Sequence, residues 1–360
     1  MSVNAPYVVR LRDCRLDSLS QVGAKNAALG EMSNAGIPIP GGFAVTTRAY
    51  EDVCGAAGIR QRIDDALAEV DSHDVSTAEK AGEAIRELIT SIALPQRLDQ
   101  AIRSAYRTLA REYDLSDIPV AVRSSATAED APQASFAGQH ETFLSVRGAD
   151  GVITKFKACL SSLFTPRAIC YRMKMGLGHR EVFMSVGVQK MVNARVAGVL
   201  LTLNPANGDL SKVLVEANWG LGTSVVSGEI TPDCYVVDKV AFEIGRRVIS
   251  RKTVEYVLEP NTREVVSRNI PADRQNVPCL QDAEILTLAR LGKMIEGHYG
   301  TPQNIEWAID KDLPSPANIA ILQSRPETAW SQKTRGPVSA RKASILEHMI
   351  DTLKEGRRLR

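Results

Sequence analysis

The sequence predicts an α+β fold, and three observations predict it. Apolar residues recur at helical spacing from about residue 49 to 113, and after about Asp117 the texture turns to short β runs broken by Gly, Pro and Asn. A late helical segment then precedes two final strands, and no repeat of 20–50 residues is apparent.

Taken in order, Gly23 to Met32 reads as a short helix stopped by Asn34 to Gly36. The stiff Ile37-Pro38-Ile39-Pro40-Gly41-Gly42 follows, then a strand over Phe43 to Val45, so Lys25 lies near a helix start beside a rigid turn. Leu67, Ala84, Ile85, Leu88, Ile89, Ile92 and Leu98 are spaced for several helices that cover a face. Strands are expected over Val120–Val122, Glu141–Val146, Val182–Val192, Arg195–Thr202, Lys212–Glu216 and Cys234–Asp238, with helical spacing near Val152 to Phe164. A helix over Ala283 to His298 leads to strands at Ile305–Ile309 and Ala317–Leu322. From Ser331 a polar linker runs into an amphipathic stretch carrying Ile345, Leu346, Met349, Ile350 and Leu353, suited to packing on its own domain or on a partner. The expected divisions are 1–192, 193–330 and a tail at 331–360.

Composition narrows the function. A chain of 360 residues with 44% hydrophobic content has room for about two or three packed subdomains. A net charge of +2 gives no global field for nucleic acid or an anionic membrane, and the basic run Arg357-Arg358-Leu359-Arg360 is confined to the tail. The N-terminus lacks a signal pattern and the longest apolar stretches, such as Val196 to Leu203, are too short to span a bilayer, so a cytoplasmic location is expected. Six scattered cysteines without a C-x-x-C pair fit reduced, mostly buried thiols.

The chemistry concentrates in a few segments. Val122-Arg123-Ser124-Ser125-Ala126-Thr127-Ala128-Glu129-Asp130, running on to Ser135-Phe136-Ala137-Gly138-Gln139-His140-Glu141-Thr142, is an apolar strand emptying into a small, hydroxyl-rich loop around one arginine. Small residues let backbone N–H groups approach anionic oxygens, and the fork of Arg123 matches phosphate, so a nucleotide phosphate site is expected here. Near the end, Glu306, Gln323 and Arg325 could share one sheet face. Glu306 would offer a hard oxygen for Mg²⁺, Gln323 an amide oxygen and Arg325 a charge for phosphate, with a buried Glu–Arg pair as the alternative. The strand Val186 to Val192 could present Gln189 and the main chain around Met191 to an adenine edge, though an ordinary core strand would look similar.

Together these segments resemble the N-terminal nucleotide-binding domain shared by phosphoenolpyruvate synthase, pyruvate phosphate dikinase and rifampicin phosphotransferase. The resemblance runs from about Ser18 to Thr328. It is carried in order by Gly23-Ala24-Lys25-Asn26, Ile39-Pro40-Gly41-Gly42-Phe43, Arg123 to Asp130, Ser135 to Gly138, Asn204-Pro205, Gly220-Leu221-Gly222, Ile305-Glu306-Trp307-Ala308 and Leu322-Gln323-Ser324-Arg325-Pro326. It implies an ATP-grasp fold with an N-terminal α/β subdomain and a helical insertion. It also implies that Lys25 and Arg123 hold ATP phosphates, that the loop from Ser135 through Gly138 to Thr142 closes over them, and that Gln189 and Met191 border the adenine. Glu306 and Gln323 would carry Mg²⁺, with Mn²⁺ as an alternative, and Arg325 would contact the transferring phosphates. Asn304 departs from the aspartate expected before Ile-Glu-Trp, which removes a charge beside the metal.

In such enzymes a swivelling domain with a Thr-Ser-His-type loop accepts the phosphoryl group, and none of His73, His140, His179, His298 and His348 lies in such a loop. Among members with a split organisation the resemblance extends to the ATP-binding subunit of phenylphosphate synthase. That implies a hetero-oligomer in which ATP pyrophosphorylates a histidine on a partner subunit, AMP and phosphate are released, and phenol becomes the acceptor. The alternatives are a piece of a longer phosphoenolpyruvate synthase or rifampicin phosphotransferase, an ATP-grasp ligase, and a noncatalytic ATP-sensing subunit.

Overall fold

Residues 5–330 are described by a computed structural model, except 72–73, 128–129, 132–133, 136–140, 260–261, 263 and 329. The first stretch holds β1 (Val8–Arg10), α1 (Leu19–Asn34), β2 (Gly42–Val45), α2 (Thr47–Cys54), α3 (Ala57–Ala68), α4 (Val75–Ser91) and α5 (Gln96–Glu112). After these come β3 (Val120–Ala126), the two-residue β4 (Asp130–Ala131) and β5 (Ala134–Ser135), β6 (Thr142–Val146), α6 (Gly148–Ser161), α7 (Pro166–Lys174) and β7 (Met184–Lys190). The second stretch holds β8 (Ala194–Leu201), β9 (Lys212–Trp219), the single turn α8 (Thr223–Val226), β10 (Asp233–Asp238), β11 (Ile244–Val248), β12 (Val254–Leu258) and β13 (Val265–Asn269). It ends with α9 (Asp282–Tyr299), β14 (Gln303–Asp310) and β15 (Ile319–Pro326). Helices and antiparallel sheets in one chain give the α+β class that the sequence predicts.

Two sheets organise the unit that extends to Pro326. One has the order β1-β2-β7-β3-β6, the other β11-β10-β9-β8-β14-β15, and every neighbouring pair is antiparallel. Phe43, Val45, Ile85, Ile102, Phe156 and Val188 belong to the core between the first sheet and its covering helices. The second core gathers around the fully buried Trp307 with Val196, Val215 and Leu288. Leu11, Val22, Leu29 and Met32 join that second core although they precede every strand of the second sheet, so α1 packs against both halves.

The elements differ from the sequence reading in informative ways. The helix expected from Gly23 begins at Leu19 and breaks at Gly23, whose φ of 73° and ψ of 167° are outside helical values. A Cβ there would run into the Ser125 carbonyl, so glycine permits α1 to lie against β3. The strand expected to end at Val122 continues through Ala126, and Arg123 is mid-strand rather than in a loop. Ser124 and Ser125 are fully buried there and pair with Val186 and Ser185 of β7, their hydroxyls satisfied by Glu141 and Val22 carbonyls. The sequence reading missed α7, although the Thr165 hydroxyl accepts from the Ala168 N–H and Pro166 opens the helix. It also missed β11, β12 and β13, five-residue strands in which Glu255 is the single buried residue.

All six cysteines are free, and Cys14, Cys54, Cys159 and Cys279 are buried, as expected; burial pushes the Cys14 and Cys54 thiols up to about 12. Among the described residues no helix is long and apolar enough to cross a membrane. The expected tail helix beyond Ser331, and His73, His140 and His348, lie outside the described residues.

Candidate active site

Lys25 is set by its neighbours. The Asn26 N–H donates to the Ser125 hydroxyl at 3.3 Å, and the Asn26 amide donates to the Val22 carbonyl and the Ser185 hydroxyl. These bonds fix α1 on β3 and β7 in a buried layer with no slack, since a Cβ on Gly187 would strike the Asn26 side chain. Lys25 Nζ then donates to the Ser124 carbonyl at 3.1 Å, one residue along the strand from Arg123.

Arg123 reaches from the first sheet to the second. Its Nη1 donates to the Leu322 carbonyl at 3.0 Å, and its Nη2 donates to Gln323 Oε1 at 2.6 Å and Glu306 Oε2 at 3.2 Å. Glu306 and Gln323 are direct cross-strand partners in β14 and β15. A bulge brings Leu322 and Gln323 to the same side: Gln323 pairs with Glu306 but Ile321 pairs with Trp307, leaving Leu322 as the extra residue. Simple alternation would have turned Leu322 and Gln323 to opposite faces. The buried pair weighed for Glu306 beside Arg325 is replaced by a partly exposed ion pair of Glu306 with Arg123.

A cavity of about 370 Å³ opens beside this cluster, within the range of small-molecule sites. Its walls are mostly apolar and come from both sheets, with Ala121, Met191, Ala197, Leu221 and Ala308 in one buried cluster. Arg123, Thr142, Gln189 and Glu306 bring polar groups to it. Gly198 keeps one wall flat, because a Cβ there would run into the Glu216 carbonyl and sit 3.0 Å from the Trp307 ring. That mid-strand glycine was a legible signal that the sequence reading did not use.

The remaining expected residues are distributed as follows. Gln189 is buried, lines the cavity and donates its amide to the Pro40 carbonyl at 3.4 Å. Met191 lines the cavity as well, and its backbone N–H is bonded to the Pro119 carbonyl at 2.9 Å, so that group is not available to an adenine edge. Arg325 is exposed, opposite Asn304, and stands outside the Arg123 contact cluster among the described residues. Ser135 falls in β5 but its side chain is not described, and Gly138 lies outside the described residues. The Thr231-Pro232-Asp233 junction serves the fold: Asp233 Oδ1 accepts from Lys252 Nζ at 2.6 Å, both side chains being fully buried.

Chemically, Glu306 and Gln323 present two hard oxygens already directed at one cation, the Arg123 guanidinium, and this donor set fits a divalent metal. Two strands away on the same face, Glu216 has its carboxyl raised by burial.

Comparison with known proteins places the chain in a family. Residues 19–344 match the family described as pyruvate phosphate dikinase, AMP/ATP-binding domain. A probable phosphoenolpyruvate synthase of Staphylothermus marinus is 42% identical over 98% of this chain and 45% of its own length. The phosphoenolpyruvate synthase of Pyrococcus furiosus is 40% identical over 87% of the chain and 42% of its own length, and that of Pseudomonas aeruginosa 41% over 98% and 45%. The chain thus spans less than half the length of these curated relatives. A solved L-amino acid ligase from Bacillus licheniformis aligns with 11% identity over 73% of this chain and 51% of that chain, at a TM-score of 0.24, too low to bear on the fold. By the family match and these identities, the chain belongs to the pyruvate phosphate dikinase AMP/ATP-binding domain family.

Proposed function

We propose that this chain binds Mg-ATP between its two sheets, in the manner of an ATP-grasp enzyme, and delivers a phosphoryl group to a histidine on a partner polypeptide. One observation carries the reading: Arg123, Glu306 and Gln323, far apart in sequence, converge at the edge of a mostly apolar cavity. A base would lie against Met191, Ala197 and Leu221, and the phosphates would extend toward Arg123 and Lys25. Phosphoryl transfer needs positioning and charge neutralisation more than covalent help, which is what an arginine fork, a lysine and a hard-oxygen pair offer. Mg²⁺ at Glu306 and Gln323, or Mn²⁺ in its stead, would supply neutralisation of charge on the phosphate oxygens. Among the described residues no three His, Cys, Asp or Glu side chains gather as a metal cage, so its other ligands would be phosphate oxygens and water.

In the finer reading, a histidine nitrogen of the partner attacks the β-phosphorus of ATP, the bond to the α-phosphate oxygen breaks and AMP leaves. Water then releases phosphate, and the phosphohistidine passes its group to phenol, giving phenylphosphate. The whole-enzyme names of the relatives support a second reading, in which the group passes to pyruvate and phosphoenolpyruvate forms. Incubation with β-³²P or γ-³²P ATP, with and without a histidine-bearing protein encoded beside this one, tests both. β-label on the partner's histidine with release of AMP supports the dikinase-type reading, and phenol or pyruvate added next identifies the acceptor. ADP as the product, or ATP binding with no labelled partner, sinks it in favour of a ligase or a sensing subunit.

A further inference from the structure

The two oxygens proposed to hold the metal are already occupied by a cation of this chain. Arg123 Nη2 lies 2.6 Å from Gln323 Oε1 and 3.2 Å from Glu306 Oε2, while Nη1 is fixed by the Leu322 carbonyl at 3.0 Å. The Arg123 side chain is 15% exposed and Glu306 29%, so solvent screens this cluster only in part. A divalent ion and a guanidinium cannot share one carboxylate oxygen and one amide oxygen at these distances without strong repulsion. Among the described residues Arg123 Nε is also buried without an acceptor, so its present seat leaves a donor unspent there. Phosphate oxygens match the planar fork of an arginine better than this single-nitrogen contact does.

We infer that Arg123 is an internal stand-in for the metal, which holds Glu306 and Gln323 until nucleotide phosphates draw the guanidinium away. Metal and nucleotide then enter together, because the phosphates must free the two oxygens before a divalent ion can take them. The inference rests on the reading of Glu306 and Gln323 as metal ligands. No covalent bond changes; one cation replaces another on the same oxygens.

The test uses the full chain with Mn²⁺ as the probe: free Mn²⁺ is read by electron paramagnetic resonance without nucleotide, and with the nonhydrolysable analogue AMP-PNP protein-bound Mn²⁺ is read by its enhancement of water proton relaxation, which separates it from Mn²⁺ held by free nucleotide. Arg123→Met should bind Mn²⁺ alone about tenfold or more tightly than the unaltered chain, and adding Glu306→Gln should remove that gain. Arg123→Gln, which is polar but uncharged, should behave alike and replaces Arg123→Met if that variant does not fold. A folded Arg123→Met or Arg123→Gln with Mn²⁺ affinity no better than the unaltered chain overturns the stand-in role. In that event, a loss of Mn²⁺ binding in the presence of AMP-PNP on Glu306→Gln alone still upholds the metal site. If Glu306→Gln leaves Mn²⁺ binding with AMP-PNP unchanged, the metal reading itself falls, and the stand-in with it.

Discussion

Single side chains at this site act through charge placed by backbone that other residues hold. Glu306→Ala or Arg123→Ala removes one member of a contact among Arg123, Glu306, Gln323 and the Leu322 carbonyl while leaving both cores intact. Each should cost about 1–2 kcal/mol of stability and lower phosphoryl transfer by about 10³-fold or more, read by thermal melts beside the labelling assay. Normal transfer by a folded variant would refute the assignment. A second residue-scale prediction concerns His179, whose Nδ1 accepts from Arg172 Nε at 3.0 Å, so the ring proton resides on Nε2. Burial and the adjacent Arg172 charge push its pKa from 6.5 down to about 4. The folded pKa is depressed, so below pH 6.5 the unfolded chain takes up a proton that the folded chain refuses until about pH 4. Stability should fall as pH drops through that window, and His179→Asn should flatten the fall in urea midpoints; an unchanged slope would place the titration elsewhere. The sequence showed His179 beside Arg180 but not the buried Arg172 behind it, since that contact depends on how the residues after α7 fold back.

At the scale of elements, close approach and buried charge decide what can be altered. Gly23→Ala would force a Cβ into the Ser125 carbonyl and a left-handed φ onto alanine, so we expect a loss of about 2–4 kcal/mol and a displaced Lys25, seen as a lower urea midpoint with weaker ATP binding. Asp233 accepts from Lys252, the Ser250 and Cys279 N–H groups and the Tyr235 hydroxyl, tying β10 to the segments before β12 and α9. Asp233→Ala strands a buried ammonium and should cost about 3–5 kcal/mol, whereas Asp233→Ala with Lys252→Met should recover part of that loss. Equal midpoints for the two would show that the hydrogen bonds, not the ion, carry the energy. Helices and long apolar strands were legible because periodicity survives in the sequence alone. The extension of β3 through Ser124 and Ser125 was not, because small hydroxyl residues look like turn until a partner strand supplies their bonds. Nor was the bulge at Leu322, which exists only in the pairing of β14 with β15.

Across the whole unit, the candidate site is a product of both sheets. Arg123 and Gln189 come from the first, Glu306 and Gln323 from the second, and Lys25 from a helix that shares in the second core. Most of these residues could be named from motifs, whereas their meeting across a gap between sheets could not be deduced from local pattern. Binding that spans the gap should slow amide exchange in β3, β7, β8 and β14 together when AMP-PNP and Mg²⁺ are added, and leave α3 and α4 unchanged. Protection confined to one sheet would contradict a site shared by two. The position of β15 at the rim of its sheet also governs how a newly made chain acquires the site. Leu322 and Gln323 are among the last residues of this unit to leave the ribosome, and Arg123 is translated roughly 200 residues earlier. Until that final strand emerges and docks on β14, Arg123 lacks two of its three acceptors, the Leu322 carbonyl and Gln323 Oε1, so the nascent polypeptide completes this contact only at the last step of building the unit.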